Sequence, residues 1–173
     1  MRRQAREILD QSLGKEERRK LDHCFGVGPV VVFAGHMVDS AQRLNSLAVR
    51  FPADNTPKVA AALADALHRL RPSSAYSSAA CGSDLVFIET LRDTSEDCSP
   101  CVVLPFSEQE FIVSSVAPGG PEWEDRFRRA MDWVRTAGKV ELASEHPLVI
   151  PSASFDYANI ILQGLAKIQA QSL

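Results

Sequence analysis

Apolar and polar positions fall along the chain in short blocks that predict strands and helices in turn. The run PVVVFAG, from Pro29 to Gly35, is nearly continuous and rich in β-branched residues, which is typical of a central parallel strand covered on both faces. Shorter apolar segments predict strands around Tyr76 and from Cys101 to Leu104, and Lys139 to Ala143 predicts a weaker one. These segments form the candidate sheet.

The segments between the predicted strands carry apolar side chains at helical spacing. Thr56 and Pro57 have the features of a helix start, with Thr56 as the N-cap and the proline at the first helical position. Ser107 and Glu110 have the spacing of a capping box, which predicts a short helix after the third strand. The other predicted helices are Leu85 to about Thr90, Trp123 to Val134, and Phe155 to Gln171. This alternation predicts an α/β domain, a Rossmann-like three-layer sandwich with a mostly parallel sheet.

The N-terminal residues differ from the rest of the chain. Residues 3–21 place Ile8, Leu9 and Leu13 among many charged side chains, which indicates a weak amphipathic helix interrupted at Gly14. We therefore expect an N-terminal helical extension over residues 1–27 and one Rossmann-like domain over residues 28–173.

Composition and charge exclude several classes of partner. The chain has 173 residues, of which 45% are hydrophobic and 24% charged, as is ordinary for a soluble globular protein. Its net charge of −3 provides no basic field for a nucleic-acid backbone. No apolar run approaches the roughly 20 residues that a membrane span requires, and the first residues lack a secretory signal pattern. We expect a cytoplasmic protein that contacts neither nucleic acid nor membrane.

The stretch SSAACGSD, from Ser77 to Asp84, has the pattern of a phosphate-binding turn between a strand and a helix. The unpaired N–H groups and the dipole at a helix N-terminus favour an anion. Gly82 and its small neighbours would let a ligand approach the backbone closely. The turn predicts a nucleotide-like ligand, with no other cofactor and no metal.

Ligands of open parallel sheets bind outside the carboxyl ends of the strands, near the switch point in strand order. Three loops should meet there, and the long loop after the first strand could add an arginine. In this hypothesis the amides of Gly82 and Ser83 hold a phosphate, Asp84 or Glu89 contacts ribose hydroxyls, and Gly82→Val abolishes binding without unfolding the protein. The full predicted ligand set is Gly35, His36, Met37, Arg50, Ser78, Ala80, Cys81, Gly82, Ser83, Asp84, Pro105 and Phe106.

Structural roles are the alternative for the same residues. Gly35 and Gly82 could form the tight turns that any α/β sheet needs. His36 could be a structural hydrogen-bonding group, and Asp84 could cap its helix. A protein with only such roles would be a scaffold without a ligand.

Two other signals suggest different chemistry. Cys98 and Cys101 have the CxxC spacing of redox and zinc sites. The pair precedes a strand instead of opening a helix, and no second pair completes a zinc set, so we expect no such site. Glu89 and Glu110 are the candidate general acids or nucleophiles if the protein is a nucleotide hydrolase.

The Gly35-His36 pair, the SSAACGSD turn and the VLPF segment that ends at Phe106 together resemble the SLOG superfamily of Rossmann-like domains. That superfamily includes the bacterial DNA-processing protein and the lonely-guy phosphoribohydrolases. The turn is similar to the DNA-processing pattern at Ala80, Gly82 and Asp84. The resemblance implies that the domain senses a nucleotide-derived ligand in bacterial signalling. It also implies a tetratricopeptide-repeat or nucleotide-cyclase partner, and leaves a homo-oligomer open.

The chain departs from the lonely-guy pattern, PGG-x-GT-x-x-E. Ser83 is followed three residues later by Val86 where that pattern has glutamate, and the literal PGG ending at Gly120 lacks the GT and glutamate that should follow. We therefore expect ligand sensing, with a phosphoribohydrolase-like enzyme as the alternative.

Overall fold

The computed structural model describes residues 14, 17, 28–39, 49–146 and 150–171. Within these ranges the strands are β1 (Val30–Val32), β2 (Ser74–Ser77), β3 (Ser99–Leu104) and β4 (Lys139–Leu142). The helices are α1 (Thr56–Leu70), α2 (Ser83–Thr94), α3 (Glu108–Phe111), α4 (Pro121–Ala137) and α5 (Pro151–Gln171). A π-helical turn, Ile112–Val116, follows α3 directly. The predicted N-terminal extension, except Gly14 and Glu17, lies outside the described residues, so the domain division stays a prediction.

The sheet is wholly parallel, and its strands lie in chain order, β1-β2-β3-β4. Right-handed crossovers between such neighbours place the connecting helices on one face. Accordingly α1, α2 and α4 pack on one face of the sheet, in a core that includes Leu67, Leu85 and Phe127. The predicted Rossmann-like three-layer α/β fold is confirmed. The described strands do not reverse order, so they contain no switch point of the expected kind.

Helix α5 covers the opposite face of the sheet. Ala158 and Leu162 of α5 pack in a second cluster against Tyr76, Cys101 and Val103. Because successive strand residues point to opposite faces, Val102 and Leu104 lie in the first core while Cys101 and Val103 contact α5. The two layers of helices thus share β3 as their common centre.

Strand β1 differs from the sequence prediction. The PVVVFAG run was expected to form a central strand covered on both faces, but β1 contains three residues, and Val32 is 44% exposed. Among the described strands β1 pairs with β2 alone, so it lies at the edge of the described sheet. The apolar run continues past the strand because Phe33 packs against the core beyond the last paired residue.

The helix starts confirm one prediction and correct another. Ser107 caps α3 and accepts a hydrogen bond from the backbone N–H of Glu110 at 3.5 Å, as its capping-box spacing predicted. Thr56 is the first residue of α1 instead of its N-cap, and the N-cap residue, Asn55, makes no side-chain capping bond. A short 3-10 turn, Ala53–Asn55, leads directly into α1. The helix therefore begins at Thr56, one residue before the predicted first helical position. Within the described ranges, no helix combines the length and apolarity needed to cross a membrane.

Candidate functional site

A cavity of about 210 Å³ opens where β1, β2 and β3 end at their carboxyl edges. We call it the strand-end cavity. The loops after the three strands form one side, and α3, the π-helical turn and α5 form the other. Its lining residues are Phe33, Ala34, Gly35, Met37, Ser78, Ala80, Asp84, Val103, Pro105, Phe111, Ser115, Phe155, Ala158, Asn159 and Leu162. The predicted meeting of three strand-end loops therefore occurs in the structure.

Asp84 is the charged residue among the lining side chains, and it is 7% exposed. Its Oδ1 accepts a hydrogen bond from the backbone N–H of Gly35 at 3.0 Å, and the N–H of Ala80 also donates to the carboxylate. Burial raises the pKa of Asp84 to about 6, although the two backbone donors and nearby His36 act in the opposite direction. The cavity therefore contains a carboxyl group that titrates near neutral pH.

Ser78 and Asn159 add neutral polar groups to the same cavity. Ser78 follows β2 and is half-buried, whereas Asn159 projects from α5 and is exposed. Neither side chain hydrogen-bonds to another residue in the part of the chain that the structure describes. Both groups are thus free to bond to a ligand, and Ser78 can donate or accept.

Three aromatic rings contribute to the apolar lining. Phe33 stacks on Phe87 with ring centroids 4.6 Å apart, so Phe87 supports the Phe33 ring. Phe155 meets Phe106 edge to face at 5.8 Å and is itself 37% exposed. Phe111 is buried at the end of α3. Such rings form a surface suited to a flat apolar group.

The π-helical turn contributes to this wall. Phe111 immediately precedes the turn, and Ser115 lies within it, and both line the strand-end cavity. The backbone C=O of Ser115 also accepts a hydrogen bond from the N–H of Cys81 at 2.8 Å. The turn therefore connects the SSAACGSD segment to the far wall of the cavity. Single π-helical turns are frequent at functional sites.

The loop after β1 occupies part of the predicted phosphate cradle. The N–H of Ser83 donates to the C=O of His36 at 3.0 Å, and the Ser83 hydroxyl donates to the same oxygen at 2.9 Å. The C=O of Cys81 accepts from the N–H of Val38 at 2.9 Å. A short antiparallel bridge between Met37 and Gly82 results. The Ser83 amide is therefore already bonded within the chain, and the role of the Gly82 and Ser83 amides in holding a phosphate stays a prediction.

Gly35 and Gly82 lie where a side chain would collide with neighbouring atoms, from the Ser83 side chain at Gly35 and from the facing backbone at Gly82. A Cβ on Gly35 would lie 1.9 Å from the Ser83 hydroxyl oxygen. A Cβ on Gly82 would lie 2.5 Å from both the His36 oxygen and the Val38 nitrogen, and Gly82 has φ +122°. Such contacts and such a φ exclude a side chain. The structural alternative for both glycines thus has direct support.

The remaining predicted ligand residues divide into two groups. Met37, Ser78, Ala80, Asp84, Pro105 and Gly35 line the strand-end cavity. Others lie outside the lining set: Cys81 is buried in the core, Phe106 lies behind Phe155, and His36 is an exposed neighbour of the cavity. Arg50 is exposed, and its backbone N–H donates to Asp39 at 2.7 Å. A ligand role for these residues stays a prediction.

Neither predicted catalytic glutamate lines the strand-end cavity. Glu89 forms a bidentate ion pair with Arg126, which joins α2 to α4, and the Arg126 guanidinium lies 4.1 Å from the Trp123 ring centroid. Glu110 is exposed and accepts a hydrogen bond from Ser107 in the capping box. Both carboxylates have structural partners, so any acid–base chemistry in this cavity falls to Asp84.

The CxxC pair does not form a joint site. Cys98 packs in the core beneath α2 and α4, whereas Cys101 faces α5 across the sheet. Burial raises the pKa of Cys98 to about 12 and that of Cys101 to about 11. Among the described residues, no cluster of three or more His, Cys, Asp or Glu side chains could hold a metal ion.

Sequence reasoning missed the wall of the cavity formed by α3, the π-helical turn and α5. Asn159, Phe155 and Ser115 belong to that wall. No local motif marks them, and Phe155 and Asn159 reach the cavity only because α5 packs on the far face of the sheet. The sequence predicted the last helix, Phe155 to Gln171, but not the element against which it packs.

Comparison with protein families and with curated proteins identifies no relative. No protein-family model matches the chain, and no curated protein is significantly similar to it. The resemblance to the SLOG superfamily therefore stays a prediction that rests on short motifs.

Proposed function

We propose that the protein binds a nucleotide-derived small molecule in the strand-end cavity and acts as a binding module. The observation that carries this proposal is the convergence of Asp84, Ser78 and Asn159 on one aromatic-lined cavity at the carboxyl edge of a parallel sheet. Sites for small ligands in such folds are concave, mostly apolar and supplied with a few polar groups that fix orientation. A role in bacterial signalling rests on the family resemblance alone.

The direct test is a calorimetric and thermal-shift screen with mono-, di- and cyclic nucleotides, ADP-ribose and NAD. A ligand at a hundred times its dissociation constant stabilises the protein by about 2.7 kcal/mol, which is visible as a raised melting temperature. Asn159→Trp should fill the cavity from an exposed position of α5, and Gln163→Trp, one turn further along the exposed surface of the same helix, is its control.

The proposal predicts a shift that Asn159→Trp removes and Gln163→Trp preserves. Absence of any shift with the wild-type protein would overturn it. A shift that persists in folded Asn159→Trp would place the ligand elsewhere and would overturn the assignment to this cavity.

A second candidate function is hydrolysis of a nucleotide-derived substrate with Asp84 as general acid or base. The raised pKa of this buried carboxyl favours that alternative, since proton transfer is most effective when the group titrates near working pH. Release of free base, sugar or phosphate by the wild-type protein, lost in Asp84→Asn, would support the enzyme. Binding without turnover would support the binding module.

A further inference from the structure

The strand-end cavity has a charge that opposes a phosphate. Its lining includes the Asp84 carboxylate, and none of the described residues that line it is Lys, Arg or His. Placing a phosphate beside a carboxylate away from water is unfavourable, because each charge loses hydration and repels the other. The lining therefore selects against the anionic end of a nucleotide.

The loop after β1 occupies part of the N-terminus of α2. The amide and hydroxyl of Ser83 both bond to His36, and the loop carrying His36 lies directly against Gly82. A phosphate could bond to the Ser83 amide only by displacing that loop. One of the amides that usually bind an anion at a helix start is thus already bonded within the chain.

The polar groups of the cavity suit a ligand that donates hydrogen bonds. An ionised carboxylate has about four acceptor positions, and Asp84 uses two of them for the N–H groups of Gly35 and Ala80. The unused positions can accept from ligand hydroxyl or N–H groups. Ser78 and Asn159 add neutral donors and acceptors, and Phe155 offers an exposed ring for a flat base.

We propose, on the basis of the proposed function, that the strand-end cavity takes the uncharged nucleoside part of its ligand. The carboxylate of Asp84 accepts hydrogen bonds from ribose hydroxyls or base N–H groups. Any phosphate on the ligand stays outside the cavity in solvent. The chemical class that the cavity recognises is therefore a nucleoside, and the phosphate adds no affinity.

Calorimetry with each common ribonucleoside and its 5′-mono- and triphosphate tests this directly. For the nucleoside that binds best, we expect its affinity to equal that of the monophosphate within about threefold. We also expect little dependence on salt, since no phosphate is neutralised. Asp84→Asn should weaken nucleoside binding by about tenfold or more, because a charge-assisted hydrogen bond is lost.

A wild-type measurement removes the dependence on how Asp84→Asn folds. Uncharged nucleosides do not titrate between about pH 5 and about pH 7.5, whereas the cavity carboxyl does, and His36 is the ionisable side chain beside it. Affinity for the nucleoside should therefore rise over this interval as Asp84 ionises and becomes the better acceptor. An affinity that is constant or falls over the interval would overturn the role of Asp84.

The outcomes separate this inference from the proposed function. Affinity that grows about tenfold with each added phosphate, and that Asn159→Trp abolishes, would overturn the nucleoside preference while leaving the cavity as the binding site. Failure of every nucleoside and nucleotide to bind would overturn both.

Discussion

The backbone N–H of Gly35 lies 3.0 Å from Oδ1 of Asp84, a residue 49 positions further along the chain. In the reverse direction, Ser83 donates to the C=O of His36. These bonds make the loop after β1 and the start of α2 a single unit. The loop that donates to the Asp84 carboxylate is thus the same loop that occupies the Ser83 amide.

Replacing either glycine of this unit should destabilise the fold. Alanine at Gly35 would place its Cβ against Ser83, and alanine at Gly82 would meet backbone atoms of the facing loop in a left-handed conformation. We expect each variant to lose about 1–3 kcal/mol in the free energy of unfolding, measured with urea. The Gly82→Val variant, expected from sequence to spare the fold, should be destabilised as well.

Gly164→Ala is the matched control for the two glycine variants. A Cβ on Gly164 would meet nothing within 4 Å, and the residue lies inside α5. We expect this variant to be more stable than wild type by about 0.5–1 kcal/mol, because alanine restricts the unfolded chain. Equal stability of Gly82→Ala and Gly164→Ala would contradict the close approach described here.

Asp84 should make the stability of the protein depend on pH. Its folded-state pKa of about 6 exceeds the ordinary value of 3.8, so the folded protein binds the proton more tightly than the unfolded chain. The contribution is therefore most favourable below the unfolded pKa and is lost as pH rises through about 6. The loss is on the order of 3 kcal/mol at most.

The measurement is urea unfolding at several pH values between about 4 and 7 for wild type and Asp84→Asn. In Asp84→Asn, the free energy of unfolding should lack the part of its decline with rising pH that Asp84 causes in wild type. The comparison uses the slope of stability against pH and not the absolute stability, because the substitution also changes the bonds that Gly35 and Ala80 donate to this side chain. Asp65→Asn, on the exposed surface of α1, should keep the wild-type dependence. A decline that is the same in wild type and Asp84→Asn would contradict the assignment.

The sequence predicted the α/β fold because its evidence is local and repeated along the chain. Strand and helix periods alternate, and a side chain such as Ser107 marks a helix start through a bond to a residue three positions away. The exposure of Val32 could not be predicted, since a β-branched run is compatible with both an edge and a central strand. The position of β1 at the edge of the described sheet follows only from its pairing with β2 in the structure.

The candidate site was only partly predictable for a similar reason. The SSAACGSD pattern correctly placed a glycine turn before a helix, but a local motif cannot show what binds its amides. The partner of Ser83 is a carbonyl 47 residues earlier. Asn159 joins the site through packing of α5 on the far face of the sheet. Contacts between residues so far apart in the chain produce no recognisable local pattern in the sequence.

Glu89 should contribute to stability and not to binding. Its ion pair with Arg126 is largely shielded, with side chains 22% and 14% exposed, respectively. Glu89→Ala should therefore cost about 1–3 kcal/mol in unfolding free energy. Glu124→Ala removes an exposed pair with Arg128 on α4 and should cost less than about 0.5 kcal/mol. Loss of ligand affinity in folded Glu89→Ala would contradict the structural role.

The cysteines of the described domain should be unreactive in the native protein. Cys81, Cys98 and Cys101 are at most 3% exposed, and burial raises the pKa of each thiol. Alkylation requires an accessible thiolate, so native protein treated with iodoacetamide at about pH 8 should yield these three residues unmodified in peptide mapping. All three should be modified after unfolding in urea.

The same experiment tests the absence of redox pairing between Cys98 and Cys101. Because the two side chains pack on opposite faces of the sheet, an oxidant should not join them while the fold is intact. Cys24 lies outside the described residues, and a Cys24→Ser background removes its contribution. A disulfide between Cys98 and Cys101 in folded, oxidised protein would show that the strand can rearrange, and would restore the CxxC pair as a redox candidate.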